Sequence, residues 1–139
     1  MKKRVNGKRY VLYLFIAVVS TVLLAACDMP DAEQRRQQQH LPGPDFVADA
    51  AKGAQVFAEN CARCHGAEAK GTNQGPPLIH KVYRPGHHAD IAFHWAVKDG
   101  TKQHHWQFGD MPPIKGVSPD EVGHVIAYIR KEQRNAGIN

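Results

Sequence analysis

The sequence predicts a small all-α domain with three helices, over residues 48–62, 89–99 and 119–132. Helix-favouring Ala, Lys, Gln and Glu dominate the first segment, with Val56 and Phe57 interrupting a polar run. Apolar residues recur at helical spacing in the third segment. Loops rich in glycine and proline separate the three segments.

The third segment has the clearest boundaries. Ser118 is a favourable N-cap, Pro119 suits the first helical position, and Glu121 completes an S-x-x-E capping box. Gly137 lies just beyond the expected end. The apolar stripe of this helix consists of Val122, Val125, Ile126 and Ile129. A domain of about 92 residues has a small core, which a buried prosthetic group would enlarge.

A Cys-x-x-Cys-His motif follows the first predicted helix and is the signature of covalent c-type haem attachment. Cys61 and Cys64 can each add across a haem vinyl group, and His65 can then reach the iron. The spacing suits a helical turn, because residues three and four apart lie on one face. We therefore expect one haem c, bound through Cys61 and Cys64.

Two other kinds of site use a Cys-x-x-Cys pair. A thioredoxin-like redox pair needs a preceding strand, whereas residues 48–60 have a helical composition. A zinc site needs a second such pair or two spaced histidines to complete four ligands, and the remaining cysteine, Cys27, lies far upstream. The context therefore favours haem.

Residues 1–26 are predicted to be a cleaved export signal. A basic start precedes an apolar run over residues 11–26, which ends in small residues and is shorter than the roughly 20 apolar residues of a spanning helix. An uncleaved transmembrane anchor is the alternative.

The end of this signal, Leu24 to Cys27, resembles the lipobox of bacterial lipoproteins. The resemblance implies lipidation of Cys27 and attachment to a membrane, which more than one acyl chain would make firm. By the same resemblance, Asp28 favours the inner membrane. We therefore expect a lipid-anchored protein that faces the periplasm or the outer side of the cytoplasmic membrane.

Charge disfavours nucleic acid as a partner. Five of the 18 basic residues lie in the predicted signal, which leaves 13 basic and 13 acidic residues, interspersed and without a basic stripe. Residues 27–47 are polar, glutamine-rich and poor in apolar side chains. This composition predicts a flexible tether. We therefore divide the chain into a signal over residues 1–26, a tether over residues 27–47 and a folded domain over residues 48–139.

The folded domain resembles the class I cytochromes c over most of residues 48–134. Gly53 and Phe57 match the N-terminal helix of that family, and Tyr128 matches the aromatic residue of its C-terminal helix. The resemblance implies the small class I cytochrome c fold, with helices around one covalently bound haem. It also implies close crossing of the terminal helices at Gly53.

Two loops carry the remaining part of the resemblance. In the Gly-Pro-x-Leu segment, Pro76 would accept a hydrogen bond from His65 through its carbonyl, and Leu78 would pack on the haem. Met111 matches the methionine of the distal loop and would be the sixth iron ligand. The site residues assigned are Cys61, Cys64, His65, Pro76, Leu78 and Met111, with His65 and Met111 as metal ligands and no catalytic residue.

Several histidines depart from the plainest members of this family. His87 or His88, paired across two loops with His104 or His105, offers a copper or zinc site, although surface positions are the simpler interpretation. Adjacent side chains such as His104 and His105 rarely chelate one metal together if their loop is extended.

The resemblance implies an electron carrier and not an enzyme, acting alone or as a subunit of an oxidoreductase complex. Its partners would be redox proteins, with a terminal oxidase or reductase as acceptor. Two alternatives stay open: a haem-based gas sensor or small peroxidase-like enzyme with a displaceable Met111, and a metal-handling protein that uses the histidine-rich loops.

Overall fold

A computed structural model of the chain describes residues 7–25 and 29–139. These residues form two compact units, which divide between Asp31 and Ala32. The first unit contains one helix, α1 (Gly7–Ala25). None of the helices described is both long and apolar enough to cross a membrane. Cys27 and Asp28, predicted to direct lipidation and sorting, lie outside the described residues.

The second unit is helical, as predicted. Its α-helices are α2 (Ala32–Gln38), α3 (Ala50–Asn60), α4 (Ala62–His65), α5 (Asp90–Asp99) and α6 (Pro119–Asn135), and a 3-10 helix covers Lys81–Tyr83. Within residues 29–139, the sole β-type pairing is an isolated bridge between Thr101 and Met111. The all-α prediction is therefore confirmed.

Capping side chains set the starts of the first and last predicted helices. The Asp49 carboxylate accepts hydrogen bonds from the backbone N–H groups of Ala51 and Lys52, at 2.8 and 3.2 Å, so that α3 begins at Ala50. Ser118 and Glu121 form the predicted capping box at the start of α6. α6 continues three residues beyond its predicted end, to Asn135.

Helices α3 and α6 cross closely, as the family resemblance implied. A Cβ atom on Gly53 would overlap the His124 carbonyl group and lie 3.0 Å from Cβ of Tyr128. Phe57 is 1% exposed, and its ring centroid lies 5.4 Å from that of Tyr128. Because no side chain separates the two backbones at Gly53, the neighbouring apolar residues can form one core.

Residues 32–47, which lie in the predicted tether, make contacts within the second compact unit, which begins at Ala32. Residues 32–38 form α2, and the Lys98 ammonium donates to the Gln38 carbonyl at 2.5 Å. His40 Nε2 lies 3.2 Å from the Val117 carbonyl oxygen, and the Phe46 ring packs on His124 with centroids 4.9 Å apart. Composition alone hid these contacts, because a few apolar and aromatic side chains suffice to hold a polar segment against a helix.

Candidate haem-binding site

A cavity of about 680 Å³ lies between the helices of the second unit. Its wall is mostly apolar and includes Phe57 from α3, Phe93 from α5 and Val125 from α6. Five of the six predicted haem-site residues line the same cavity, namely Cys61, His65, Pro76, Leu78 and Met111. Residues 50 positions apart in the sequence are thus brought to one chamber of a size suited to a large planar ligand.

Cys61 is the N-cap of α4 and Cys64 lies within that helix, and the two cysteines form no disulfide. Cys61 lines the cavity, whereas Cys64 is half-buried outside its wall, with Sγ 4.0 Å from Oε1 of Gln74. Burial, reinforced by the neighbouring Cys64, raises the pKa of Cys61 to about 11. A redox-active pair needs a thiol of lowered pKa, so that this environment does not suit a thioredoxin-like role.

His65 closes the short helix α4 and is buried. Its Nδ1 atom lies 2.9 Å from the Pro76 carbonyl oxygen. Since a carbonyl only accepts, Nδ1 carries the hydrogen and donates it, which leaves the lone pair on Nε2. Burial lowers the pKa of His65, and the hydrogen bond to Pro76 opposes that shift. A neutral imidazole with one ring nitrogen oriented by a carbonyl is the usual form of a metal-ligating histidine.

Met111 approaches the cavity from a loop that is held in place by backbone hydrogen bonds. The N–H of Thr101 donates to the Met111 carbonyl and the N–H of Met111 donates to the Thr101 carbonyl, both at 2.9 Å. Gly100, with φ of +78°, makes the turn after α5, and a Cβ atom there would lie 2.6 Å from the Met111 carbonyl oxygen. The thioether is therefore presented by a loop with little freedom to move away.

Two further residues fit a haem in this cavity. Leu78, half-buried, lines the wall, and its backbone N–H donates to the Ala69 carbonyl at 2.8 Å. Trp106 also lines the cavity, and its buried indole Nε1 has no acceptor at full hydrogen-bond geometry within residues 29–139, although the indole is near enough to the Tyr83 hydroxyl to oppose the rise that burial causes in the Tyr83 pKa. A buried donor seldom stays unpaired, and a haem carboxylate is the kind of acceptor it lacks. The donors, the thiols and the apolar wall together fit haem c.

Sequence reasoning missed the residues that hold the wall near the 3-10 helix. Arg130, 7% exposed, donates to the carbonyls of Tyr83 and His88 and to the Asp90 carboxylate. Gln133, 1% exposed, donates to the carbonyls of Leu78 and Tyr83. An arginine and a glutamine in an amphipathic helix ordinarily predict a solvated face, so that no sequence signal distinguished them.

A zinc site at the motif cysteines finds no support in the part of the chain that the structure describes. There, the cluster of three side chains able to hold a metal comprises His87, His88 and His105, and it includes neither Cys61 nor Cys64.

Comparison with known proteins agrees with this geometry. The cytochrome c family profile matches residues 50–133, more than half of the chain. Cytochrome c6 of a Picosynechococcus species is 36% identical over 104 residues, which cover 66% of this chain and 80% of that protein. Cytochrome c-551 of Bacillus subtilis is 29% identical over 121 residues, covering 87% of this chain and 94% of that protein.

Similarity also extends to parts of longer proteins. The cbb3-type cytochrome c oxidase subunit CcoP of Rubrivivax gelatinosus is 32% identical over 79 residues, which cover 55% of this chain and 24% of that subunit. No solved structure matches the chain at a significant level. The matched segment contains the haem motif, α3, the Met111 loop and all but the last two residues of α6. The chain therefore belongs to the cytochrome c family, as a class I protein that carries one haem c bound through Cys61 and Cys64.

Proposed function

We propose that this electron-transfer cytochrome is a membrane-tethered carrier of single electrons, in which His65 and Met111 would hold the iron of the haem. The observation that carries the proposal is that both side chains line one cavity, His65 oriented by Pro76 and Met111 by its reciprocal hydrogen bonds with Thr101. With both side chains bound to the iron, a substrate or a gas would find no free coordination position. An electron carrier is thereby favoured over a sensor or a peroxidase.

When bound, the haem supplies an iron that alternates between the ferric and ferrous states. The residues around the haem would set its reduction potential, its exposure to water and the freedom of its ligands to move. A thioether ligand favours ferrous iron and raises the reduction potential relative to a second histidine. The apolar wall at Phe57, Phe93 and Val125 limits the access of water to the site. Backbone hydrogen bonds at His65 and Met111 resist movement of the ligands, which keeps the structural change on reduction small.

The partners we propose are a redox protein that donates electrons and a terminal oxidase or reductase that accepts them. Support comes from the CcoP relative, which is named as an oxidase subunit. The proposed anchor is a lipid on Cys27, and the proposed location is the periplasm-facing side of the inner membrane or the outer face of the cytoplasmic membrane. Support for the anchor comes from the lipobox-like sequence at Leu24 to Cys27.

Optical spectra of the holoprotein test the ligand assignment. Wild-type ferric protein should show the charge-transfer band of methionine-ligated iron, and the ferrous form should not react with carbon monoxide. Met111→Ala should lose the band, lower the reduction potential and bind carbon monoxide. Met29→Ala is the matched control, because Met29 is 78% exposed and lies in the first unit.

Two other results would reject this assignment. Rapid carbon monoxide binding by the wild type would indicate an open iron and favour a sensor or an enzyme. An absent band in a wild-type protein that does not bind carbon monoxide would indicate a histidine as the sixth ligand.

A further inference from the structure

Four histidines from two loops meet at the edge of the cavity, and the proposed electron transfer uses none of them. His87 and His88 follow the 3-10 helix, and His104 and His105 lie between α5 and Met111. One ring nitrogen each of His87, His88 and His105 lies within 4.8 Å of the other two. His104 adjoins this group without being one of the three. Because the chain bends from His104 to Phe108 instead of being extended, its ring lies beside that of His105, with centroids 4.3 Å apart.

The distances between ring nitrogens suit a shared metal ion. Nε2 of His87 lies 3.2 Å from Nε2 of His105, and Nε2 of His88 lies 3.5 Å from Nε2 of His104. Metal–nitrogen bonds of 2.0–2.1 Å place two imidazole nitrogens on one tetrahedral zinc ion about 3.3 Å apart. Both pairs thus have nearly the separation that one ion would impose.

In His88 and His104, a hydrogen bond at Nδ1 determines that Nε2 is the ring nitrogen available to a metal ion. Nδ1 of His88 lies 2.8 Å from the Val82 carbonyl oxygen, and Nδ1 of His104 lies 2.8 Å from the Lys102 carbonyl oxygen. Because carbonyls only accept, each Nδ1 carries the hydrogen, and in the neutral rings each Nε2 carries a lone pair. A backbone carbonyl behind the ring is the arrangement that orients metal-ligating histidines.

The contact between His88 and His104 is therefore unfavourable without a cation. Two acceptor nitrogens 3.5 Å apart cannot form a hydrogen bond with each other, and their lone pairs repel. A metal ion bound between them would convert that repulsion into two coordinate bonds. His88 is also fixed by its main chain, since the buried Arg130 guanidinium donates to the His88 carbonyl.

We propose that His87, His88 and His105, with His104 as a fourth ligand, form a binding site for a divalent transition-metal ion, Zn²⁺ or Cu²⁺, distinct from the haem iron. Imidazole nitrogen is a preferred ligand of both ions. His87 and His105 are exposed, so that an ion can enter from solvent while the haem fills the cavity. The site does not depend on the electron-transfer role, because ion binding is measured directly.

Calorimetric titration of the holoprotein tests the site. The full chain is purified without a polyhistidine tag, treated with a chelator, and titrated separately with Zn²⁺ and Cu²⁺. We expect one ion per protein for at least one of the two metals. His87→Asn and His105→Asn should each weaken binding at least about tenfold, and the double variant should abolish it.

His124→Asn is the matched control. His124 lies outside the cluster, and its Nδ1 accepts from the Asp49 backbone N–H at 3.0 Å, a contact that the asparagine carbonyl can replace. This variant should bind the metal as the wild type does. An unchanged haem absorption spectrum confirms that each variant keeps its fold.

Electron paramagnetic resonance of the wild type with one equivalent of Cu²⁺ gives a readout that needs no variant. Hyperfine structure from three or four nitrogens supports the site. Oxygen-dominated coordination would overturn the proposal, as would a wild type that binds neither ion or a His87→Asn, His105→Asn double variant that binds as tightly as the wild type.

Discussion

Gly53 in α3 packs directly on the main chain of His124 in α6, so that a Cβ atom at Gly53 would overlap the His124 carbonyl group. The two helices carry much of the apolar wall of the haem cavity, including Phe57 and Val125. Their close crossing therefore sets the shape of the site as well as the stability of the fold.

Gly53→Ala should destabilise the protein. The added methyl group must push α3 away from α6, and overpacking of this kind costs about 1–3 kcal/mol. Urea unfolding of the holoprotein measures the loss. Gly43→Ala is the control, because no atom lies within 4 Å of a Cβ at that position, and its effect should stay within about 0.5 kcal/mol. Equal effects of the two substitutions would contradict the crossing.

Arg130→Ala should destabilise the fold more than is usual for an arginine in an amphipathic helix. The guanidinium is 7% exposed, lies 5.0 Å from the centre of the Phe93 ring, and is hydrogen-bonded to two carbonyls and to Gln133. Each buried acceptor left unpaired costs about 1–3 kcal/mol. We expect a loss of about 2–4 kcal/mol in unfolding free energy. Arg134→Ala, exposed on the same helix, should change stability by less than about 0.5 kcal/mol.

The capping box of α6 predicts a pH-dependent contribution to stability. Hydrogen bonds from the Ser118 backbone N–H and hydroxyl lower the pKa of Glu121 below its ordinary value of 4.5. A carboxyl group with a depressed folded pKa stabilises the protein above the ordinary value, and the contribution is lost as the pH falls through the depressed one. Glu121→Gln should therefore be less stable than the wild type at neutral pH, and the difference should shrink below about pH 4.5.

Thermal unfolding as a function of pH gives this comparison. Ser118→Ala provides a second test, since loss of the N-cap costs about 1 kcal/mol, whereas Ser118→Thr, which keeps a hydroxyl that can both accept and donate, should retain most of the stability. A stability gap between wild type and Glu121→Gln that is constant with pH would contradict the assigned pKa shift.

Phe46→Ala should release residues 32–47 from the folded unit. The Phe46 ring packs on His124 and lies so near Gly123 that a Cβ atom there would be 2.6 Å from the ring. Hydrogen exchange should become faster in α2, and limited proteolysis should cut this segment sooner. Val47→Ala is the control, because Val47 is 81% exposed. Wild-type exchange that is already fast throughout residues 32–47 would restore the flexible tether of the sequence prediction.

Cys27→Ser should separate membrane attachment from haem binding. Without the thiol no lipid can be added, and we expect the protein to leave the membrane fraction or to remain unprocessed, with its covalent haem intact. Replacement of Cys61 and Cys64 by alanine should have the opposite result, with the anchor kept and the haem stain on a denaturing gel lost. Unchanged lipidation of Cys27→Ser would reject the lipid anchor.

Short-range features were predictable because they depend on neighbouring residues. The Cys-x-x-Cys-His motif lies on the predicted helical turn, and the Ser118 cap lies at the predicted start of α6. The stripe of Val122, Val125, Ile126 and Ile129 is buried as its spacing predicted. Composition, by contrast, did not predict the contacts of residues 32–47 within the second unit. It records the polar character of that segment and not the few side chains that make contacts.

By itself, then, the sequence determined the cofactor, the helices and their caps, because covalent chemistry and backbone hydrogen bonding operate over a few residues. Only the tertiary structure shows that Arg130 is paired with Asp90, which lies 40 positions away in the sequence. It alone also shows that His87 contacts His105, which lies 18 positions away. Such contacts depend on how the chain folds back on itself. A histidine or arginine with no local partner has the same sequence pattern whether it is solvated, buried or poised to bind a metal.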